Sequence, residues 1–195
     1  LEGGAAALAL ASGQAAEFYT ILNLAQAGDE IVSSPSLYGG TYNLFKVTLK
    51  QLGITVRWVE NPDDPESWRE QITDKTKALF GETIPNPKGD ILDIEALATL
   101  AHEYDIPLVE DNTVGTPYNV RPFEHGADII VESATKFLGG HGTALGGLVV
   151  EKGDFNWANG KFPLLSSPDE TYNGITYSEL GPGGFVTRIR PTLLR

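Results

Sequence analysis

The sequence Ser133-Ala-Thr-Lys136 places a lysine directly after the apolar run 128–132, which has the composition of a buried strand. A lysine near the carboxyl edge of a sheet can lose its charge by desolvation and become a nucleophilic amine, and such an amine forms a Schiff base with a carbonyl. The hydroxyl groups of Ser133 and Thr135 are placed to hold a phosphate beside it. The spacing alone favours a lysine that begins a helix and points to solvent, by roughly two to one.

A second candidate, Asp111, ends the run Pro107-Leu-Val-Glu-Asp111. A carboxylate at the end of a buried strand is costly unless it is paired with a cation or well hydrogen-bonded, and a pyridinium N–H would be such a partner. A helix-capping or turn aspartate is the more common arrangement. The neighbouring Glu110 points to the opposite side of a strand, so we do not expect it to share this role.

The segment Ala11-Ser-Gly-Gln-Ala-Ala16 ends one predicted strand and opens a helix with small residues. The first N–H groups of a helix have no partner within it, so this turn has the geometry of an anion cradle. An ordinary helix cap at Ser12 is the alternative interpretation.

Two further turns carry polar side chains that could reach a ligand. In Tyr38-Gly-Gly-Thr41 the glycines let the backbone approach a ligand, and Tyr38 offers a flat face and a phenol. In Pro85-Asn-Pro-Lys-Gly89 the prolines fix the backbone of Asn86, whose amide could be aimed at a ligand. A surface turn and a rigid turn are the respective alternatives.

Other motifs predict neither a nucleotide site nor a metal site. The glycine cluster 139–147 contains no Gly-Lys-Ser/Thr and does not open a strand-to-helix turn followed by an acidic residue. The three histidines, His102, His125 and His141, have no partner at a metal-binding spacing.

Short β-branched runs alternate along the chain with longer segments of helical period, a pattern typical of a parallel sheet covered on both faces. The predicted strands are Ala5–Ala11, Asp29–Ser33, Ile54–Val59, Ala78–Glu82, Ile106–Glu110, Asp128–Glu132 and Gly146–Val150. The first of these is ambiguous, because alanine and leucine prefer a helix, but its leucines alternate as in a strand. The predicted helices are Gln14–Ala27, Tyr42–Leu52 and Ile94–Tyr104, with a further helix that opens at Phe185. The sequence therefore predicts an α/β fold with a mostly parallel seven-stranded sheet sandwiched by helices. In such sheets ligands bind at the carboxyl ends of the strands, which is where the candidate residues fall.

The composition argues against several classes of protein and of site. The chain has 195 residues with 14 Lys or Arg and 26 Asp or Glu, so its formal net charge is −12, which argues against a nucleic-acid partner. Cysteine is absent, which excludes disulfides, thiolate metal sites and a cysteine nucleophile. No apolar run reaches the roughly 18 residues that cross a bilayer, and residues 5–11 lack the basic flank of a signal peptide. We therefore expect a cytoplasmic protein without a membrane partner.

Taken together, these motifs resemble one family, the pyridoxal-phosphate enzymes of cysteine and methionine metabolism, over nearly the whole chain. The most specific stretch is 124–142, EHGADIIVESATKFLGGHG. Within the family the O-acetylhomoserine sulfhydrylases are the most similar branch, on the cues 38–45, 86–90 and 172–177. The resemblance implies the fold of PLP-dependent transferases, an aspartate aminotransferase-like large domain.

The resemblance also implies roles around the ring of the cofactor, pyridoxal 5′-phosphate. Lys136 would be the Schiff-base lysine and the base of the reaction, and Asp111 would pair with the ring nitrogen. Tyr38 would stack on the ring and assist as acid and base near the leaving group, while Asn86 would approach the 3-oxygen.

By the same resemblance, the phosphate is held by Ser133, Thr135 and the backbone of Gly13 and Gln14. A protein of net charge −12 cannot hold a negatively charged cofactor by its overall field. It needs local donors, which the strand ends supply as helix N–H groups and hydroxyls.

The reaction that the resemblance implies is γ-replacement on O-acetyl-L-homoserine, with sulfide or a small thiol as the second partner and homocysteine or methionine as product. A cystathionine γ-synthase, a cystathionine γ-lyase or a methionine γ-lyase would use the same residues. An inactive truncated fragment is the third alternative. The family shares its site between subunits, so we also expect a homodimer or homotetramer.

The chain contains no methionine, and its last residues look like the middle of an element, so we expect a piece of something longer. Residues 1–151 are predicted to form the cofactor-binding large domain, and residues 152–195 a loop-rich extension toward a C-terminal domain. The family's arginine that clamps the substrate carboxylate has no match here, and Arg188, Arg190 and Arg195 are given no role.

Overall fold

A computed structural model describes residues 1–194, and Arg195 lies outside the described residues. The strands are β1 (Ala6–Leu10), β2 (Glu30–Ser33), β3 (Thr55–Trp58), β4 (Thr76–Glu82), β5 (Leu108–Asp111), β6 (Ile129–Glu132) and β7 (Gly147–Glu151). They form one seven-stranded sheet in the order β1-β7-β6-β5-β4-β2-β3. Six strands run in the same direction, and β7 runs antiparallel to both of its neighbours.

The α-helices are α1 (Gly13–Leu24), α2 (Gly39–Asn43), α3 (Pro65–Arg69), α4 (Ile94–Glu103), α5 (Thr116–Asn119), α6 (Pro163–Ser166) and α7 (Gly184–Leu193). A π-helix, Leu44–Leu49, continues α2 directly. Three short 3₁₀ turns complete the set, Pro122–His125, Glu170–Tyr172 and Tyr177–Leu180. Within residues 1–194, none of the helices combines the length and the apolar character that a membrane crossing requires.

The sheet is buried on both faces, as the near-continuous apolar strands predict. In β6, Ile129 and Val131 join the cluster that contains Ile21 of α1. Ile130 joins the cluster on the other face, with Leu97 of α4. The predicted fold class, a mostly parallel seven-stranded sheet between helices, is confirmed.

One predicted helix was assigned the wrong buried face. The prediction over 42–52 relied on Leu44, Val47 and Leu52, but Val47 and Leu52 are 49% and 43% exposed. The buried residues of this segment are Phe45 and Leu49, which lie four positions apart. The helical segment also begins earlier than predicted, at the glycine pair that opens α2.

One helix end and one unpredicted helix also differ from the prediction. The helix predicted to reach residue 27 ends at Leu24, because Ala25 has an extended backbone with φ −125° and ψ 147°. The short helix α3 was not predicted, although its start carries a clear signal. Asp64 caps it by accepting the N–H of Glu66, and Pro65 occupies its first turn.

The helix predicted to open at Phe185 is present as α7, and a buried carboxylate holds its start. Glu151, the last residue of β7, accepts N–H groups from Phe185 and Val186 at 3.3 and 3.2 Å and from the Trp157 indole at 3.2 Å. The side chains of Trp157 and Phe185 pack in the same core as α1. The division of the chain at residue 151 stays a prediction.

Three further acids are buried, Glu2 before β1 and Glu110 and Glu132 at the carboxyl ends of β5 and β6. Glu110 and Glu132 are almost fully buried, and Glu132 has no donor among the described residues for either oxygen. Glu2 accepts the amide of Asn112 at 2.9 Å. Burial and contact with the carboxyl of Glu2 raise the pKa of Glu132 to about 9, so its folded form keeps the proton at neutral pH.

We expect Glu132→Gln to remove part of a loss of stability at alkaline pH. Above the ordinary glutamate pKa of 4.5 the unfolded chain releases this proton while the folded chain keeps it, so the unfolding free energy falls between that value and about 9. Glutamine does not titrate. Urea unfolding of the cofactor-free full-length proteins should give similar unfolding free energies for wild type and Glu132→Gln at pH 5. At pH 8.5 the unfolding free energy of the variant should be higher by at least about 1 kcal/mol. The exposed Glu70→Gln is the control, and a Glu132→Gln curve parallel to wild type contradicts the assignment.

Candidate active site

A cavity of about 280 Å³ opens at the carboxyl edge of the sheet, between the start of α1 and the ends of β4, β5 and β6. All of the residues assigned to the site from the sequence line this one cavity: Gly13, Gln14, Tyr38, Asn86, Asp111, Ser133, Thr135 and Lys136. They come from segments scattered over more than 120 positions of the chain, and they meet because parallel strands present their carboxyl ends at a common edge.

The start of α1 forms the predicted anion cradle on one wall of the cavity. The hydroxyl of Ser12 accepts the N–H of Ala15 at 3.1 Å, so Ser12 is also an ordinary helix cap. Its carbonyl accepts the N–H of Ala16, which leaves the N–H groups of Gly13 and Gln14 available. A Cβ atom on Gly13 would lie 2.6 Å from Cβ of Ser133, so only glycine lets the helix start this close to the end of β6.

We expect Gly13→Ala to weaken phosphate binding selectively. The added methyl must push α1 away from Ser133, which costs about 1–3 kcal/mol in a packed site. Equilibrium titration of cofactor-free full-length protein will therefore show affinity for pyridoxal phosphate lowered about tenfold or more. Gly39→Ala is the matched control, because a Cβ there meets no atom within 4 Å. Equal affinities for wild type and Gly13→Ala contradict a cradle at this position.

Asp111 forms the floor of the cavity as one of three buried carboxyl groups. It is 9% exposed, and its Oδ1 accepts the N–H of Thr113 at 2.8 Å. Burial raises the pKa of Asp111, while the donors from Thr113 and Glu17 oppose that rise. A carboxylate in this position would be stabilised by a cationic partner bound in the cavity.

Glu82, at the end of β4, is the second carboxyl group. Its Oε1 accepts the N–H of Tyr38 at 2.6 Å and its Oε2 accepts the N–H of Asn86 at 3.3 Å. Burial and the charge of Asp111 raise the pKa of Glu82 to about 8. One side chain therefore fixes the backbone of both turns that carry predicted ligand-binding residues. The third carboxyl group, Glu17, comes from α1 and is buried.

Lys136 lines the cavity, but the desolvation that could remove the charge of its amine is not found. The side chain of Lys136 is exposed, and it lies in the turns that follow β6. Within residues 1–194, Lys136 is the only lysine that lines this cavity. The structure therefore supplies the predicted proximity to Asp111 and to the start of α1, without the predicted desolvation.

The two hydroxyls beside Lys136 have different surroundings. Thr135 is buried, and its Oγ1 donates to the carbonyl of Gly146 at 3.2 Å and accepts the N–H of the same residue at 3.0 Å. The hydroxyl of Thr135 thus closes the loop 135–146. The backbone N–H of Ser133 donates to Thr113 at 2.7 Å, and the Ser133 hydroxyl has no hydrogen bond within the described chain. Of the two hydroxyl groups, only that of Ser133 is therefore free to donate a hydrogen bond to a phosphate.

Tyr38 and Asn86 stand at the rim of the cavity. The Tyr38 ring is 46% exposed, and its Cε1 would be 2.5 Å from a Cβ on Gly40, so glycine at position 40 leaves room for the ring. Asn86 is exposed, and its backbone is held by Glu82. The prediction of turns that present these two side chains is consistent with their place in the cavity wall.

Three residues of the site were missed in the sequence. Glu82 is the last residue of a predicted strand. It could have been selected on the same ground as Asp111, as a carboxyl group at the end of a buried strand. Thr113 follows Asp111 by two residues. At this spacing an aspartate side chain typically accepts the backbone N–H of the later residue. Glu17 carried no signal, since a single glutamate on a helix is usually solvated.

The chemistry of the cavity fits pyridoxal phosphate. The free N–H groups of α1 and the Ser133 hydroxyl are donors for a phosphate, and Asp111 is a buried carboxyl group that a pyridinium N–H can satisfy. Lys136 is an amine within the same cavity for an aldehyde. Among the described residues no group of three or more His, Cys, Asp or Glu side chains is arranged so that it could hold a metal ion.

Comparison with known proteins gives relatives of high similarity. The O-acetyl-L-homoserine sulfhydrylase of Corynebacterium glutamicum is 52% identical over 200 residues, which include all of this chain and 46% of that protein. A crystal structure from Campylobacter jejuni, described as an O-acetylhomoserine (thiol)-lyase with N′-pyridoxyl-lysine-5′-monophosphate, superposes with a TM-score of 0.96 and 41% identity. It covers all of this chain and 48% of that one.

A cystathionine gamma-lyase from Lactobacillus plantarum is less similar in structure. Its TM-score is 0.74 with 42% identity, and the match covers 77% of this chain and 39% of that one. The chain spans about half the length of the curated relatives that it matches. Residues 1–168 match the model of the Cys/Met metabolism PLP-dependent enzymes. The chain therefore belongs to the Cys/Met metabolism PLP-dependent enzyme family.

Proposed function

We propose that the protein catalyses γ-replacement on O-acetyl-L-homoserine, with sulfide or a small thiol as acceptor and homocysteine or methionine as product. The observation that carries the proposal is the meeting of Lys136, Asp111 and the start of α1 in one cavity. The similarity to sulfhydrylases over the whole chain supports the choice of substrate. The cystathionine gamma-lyase match, which covers less of the chain, supports it less well.

Each residue has a defined task in this proposal. Bound pyridoxal phosphate supplies an electron sink for the carbon next to the substrate amine. Asp111 would accept the ring N–H, and the N–H groups of Gly13 and Gln14 would hold the phosphate with the Ser133 hydroxyl. We propose that Lys136 Nζ removes the proton from Cα and then one from Cβ, which allows acetate to leave from Cγ.

The rim residues complete the proposed site. The Tyr38 ring would stack on the cofactor and its hydroxyl would serve as acid and base near the leaving group, while the Asn86 amide would face the 3-oxygen of the ring. Thr135 was assigned to the phosphate from the sequence, but its hydroxyl donates its hydrogen bond to the carbonyl of Gly146. The structure therefore supports a different task for Thr135, that of fixing the loop beside Lys136.

An assay with two readouts tests the reaction. Full-length protein, pyridoxal phosphate, O-acetyl-L-homoserine and sulfide should yield homocysteine and acetate in equal amounts. Release of ammonia and a keto acid instead contradicts γ-replacement and supports a γ-lyase. Formation of cystathionine when cysteine is the acceptor supports a γ-synthase. If the protein binds the cofactor and turns over none of these substrates, the inactive alternative is correct.

We also propose that the protein acts as a homodimer or homotetramer in the cytoplasm. The support is the apolar surface around the mouth of the cavity, where Phe137 and Leu145 are 65% and 77% exposed beside the half-exposed Tyr38. Apolar groups clustered at one mouth are typical of a covered surface. Light scattering of full-length protein will give a mass of two or four chains, and a monomer at micromolar concentration contradicts this part of the proposal.

A further inference from the structure

The carboxyl group of Glu82, the last residue of β4, lies between the two turns at the rim of the cavity. Glu82 is 5% exposed. Its Oε1 accepts the N–H of Tyr38 at 2.6 Å, and its Oε2 accepts the N–H of Asn86 at 3.3 Å. One donor precedes β4 in the chain and the other follows it, so this carboxyl group is the point at which the two turns meet.

The end of the strand that carries Glu82 is itself fixed beside Asp111. In the parallel pairing of β4 with β5, Glu82 lies opposite Asp111, so the two side chains project from the same face of the sheet. The N–H of Thr83 donates to the carbonyl of Asp111 at 3.0 Å, which continues the pairing past the last residue of β4. Because both side chains line the cavity, Glu82 links the two turns to the floor that Asp111 forms.

A carboxylate can serve both turns from this position, and an amide of the same shape cannot. The two carboxylate oxygens are both acceptors, whereas an amide has one acceptor oxygen and an NH2 group that donates. In Glu82→Gln one of the two backbone N–H groups would therefore face another donor. We expect the amide oxygen to keep the shorter contact, that with Tyr38, and to leave the N–H of Asn86 without a partner.

We propose that Glu82 is a positioning residue, whose carboxylate holds Tyr38 and Asn86 at a fixed spacing across the cavity by accepting one N–H from each turn. The consequence for the cofactor rests on the proposed function, in which the Tyr38 ring would stack on pyridoxal phosphate and the Asn86 amide would face its 3-oxygen. The shared acceptor does not rest on it, because it concerns hydrogen bonds within cofactor-free protein.

Hydrogen exchange of the two backbone amides tests the shared acceptor without any cofactor. Prolines at positions 85 and 87 carry no N–H, so residue 86 has the only backbone amide hydrogen between residues 84 and 88. Rapid-mixing exchange is followed by mass spectrometry on full-length protein at pH 9. This pH lies above the pKa of Glu82, which burial and the charge of Asp111 raise to about 8. In Glu82→Gln, exchange at Asn86 should be faster by about tenfold or more, and exchange at Tyr38 should match wild type.

Glu60→Gln is the control for this measurement, because Glu60 is exposed and does not line the cavity. It should match wild type at both amides. Unchanged exchange at Asn86 in Glu82→Gln overturns the proposal. Faster exchange at both Asn86 and Tyr38 also overturns it, because the substitution would then loosen this edge of the sheet as a whole. The result stands even if the wild type binds no pyridoxal phosphate, which would count against the proposed function alone.

A double-mutant cycle on the affinity for pyridoxal phosphate tests whether Glu82 acts through Asn86. Equilibrium titration at pH 9 should show that Glu82→Gln lowers the affinity about fivefold to tenfold, the effect of one hydrogen bond. In an Asn86→Ala background the same substitution should change the affinity less than about twofold, because the side-chain amide that it displaces is absent. An equal loss in both backgrounds overturns the proposal, since a direct contact between Glu82 and the cofactor, or a general loss of stability, would not depend on Asn86.

Discussion

Replacing Lys136 with alanine in the full-length protein is expected to abolish the visible absorption of lysine-bound pyridoxal phosphate. Turnover should fall about 10³-fold or more, because one side chain both holds the cofactor and moves the proton at the reacting carbon. No other lysine within residues 1–194 lines the cavity, so no neighbour can substitute. Absorbance spectra and initial rates measure the two effects separately.

Lys88→Ala is the control for this change. Lys88 is exposed on the turn that carries Asn86, and it does not line the cavity. The control should keep the visible band and the rate. A Lys136→Ala protein that retains both the band and the turnover contradicts the assignment of this lysine, whatever the activity of the wild type proves to be.

Asp111→Asn should separate cofactor binding from cofactor activation. Asparagine preserves the shape and can still accept the N–H of Thr113, but it carries no charge to balance a pyridinium N–H. Removal of one partner of a buried ion pair costs about 3–5 kcal/mol, which corresponds to a rate lower by at least about 10². We expect the variant to bind pyridoxal phosphate more weakly and to turn over slowly even at saturating cofactor.

Asp74→Asn provides the comparison for this prediction. Asp74 is exposed and precedes β4, at the edge of the sheet remote from the cavity. It should match wild type in affinity and rate. Full turnover of Asp111→Asn at saturating cofactor would show that the ring nitrogen needs no carboxylate partner.

The sheet was predictable because its signals are local. Most strands are short apolar runs rich in β-branched residues and are buried on both faces, so they could be recognised without knowing their neighbours. The convergence of Lys136, Asp111 and Asn86 follows from the same sheet, since parallel strands place their carboxyl ends together. Position along the strand was therefore enough to select them.

The features of the site that could not be predicted from the sequence depend on tertiary contacts. Glu17 resembles a solvated helix residue until the packing of α1 buries it against Thr41 in the wall of the cavity. The exposure of Lys136 depends on the path of the loop after β6, which Thr135 fixes through Gly146. A period of three or four residues also could not reveal the π-helix, whose buried residues were not those predicted.

The most direct test of the central claim is to locate the covalent attachment point of the cofactor. Full-length protein incubated with pyridoxal phosphate is reduced with borohydride, digested and mapped by mass spectrometry. The structure predicts a single pyridoxyl group on Lys136. A modification confined to other lysines, or the absence of any modification at saturating cofactor, contradicts the claim that this cavity holds the cofactor through Lys136.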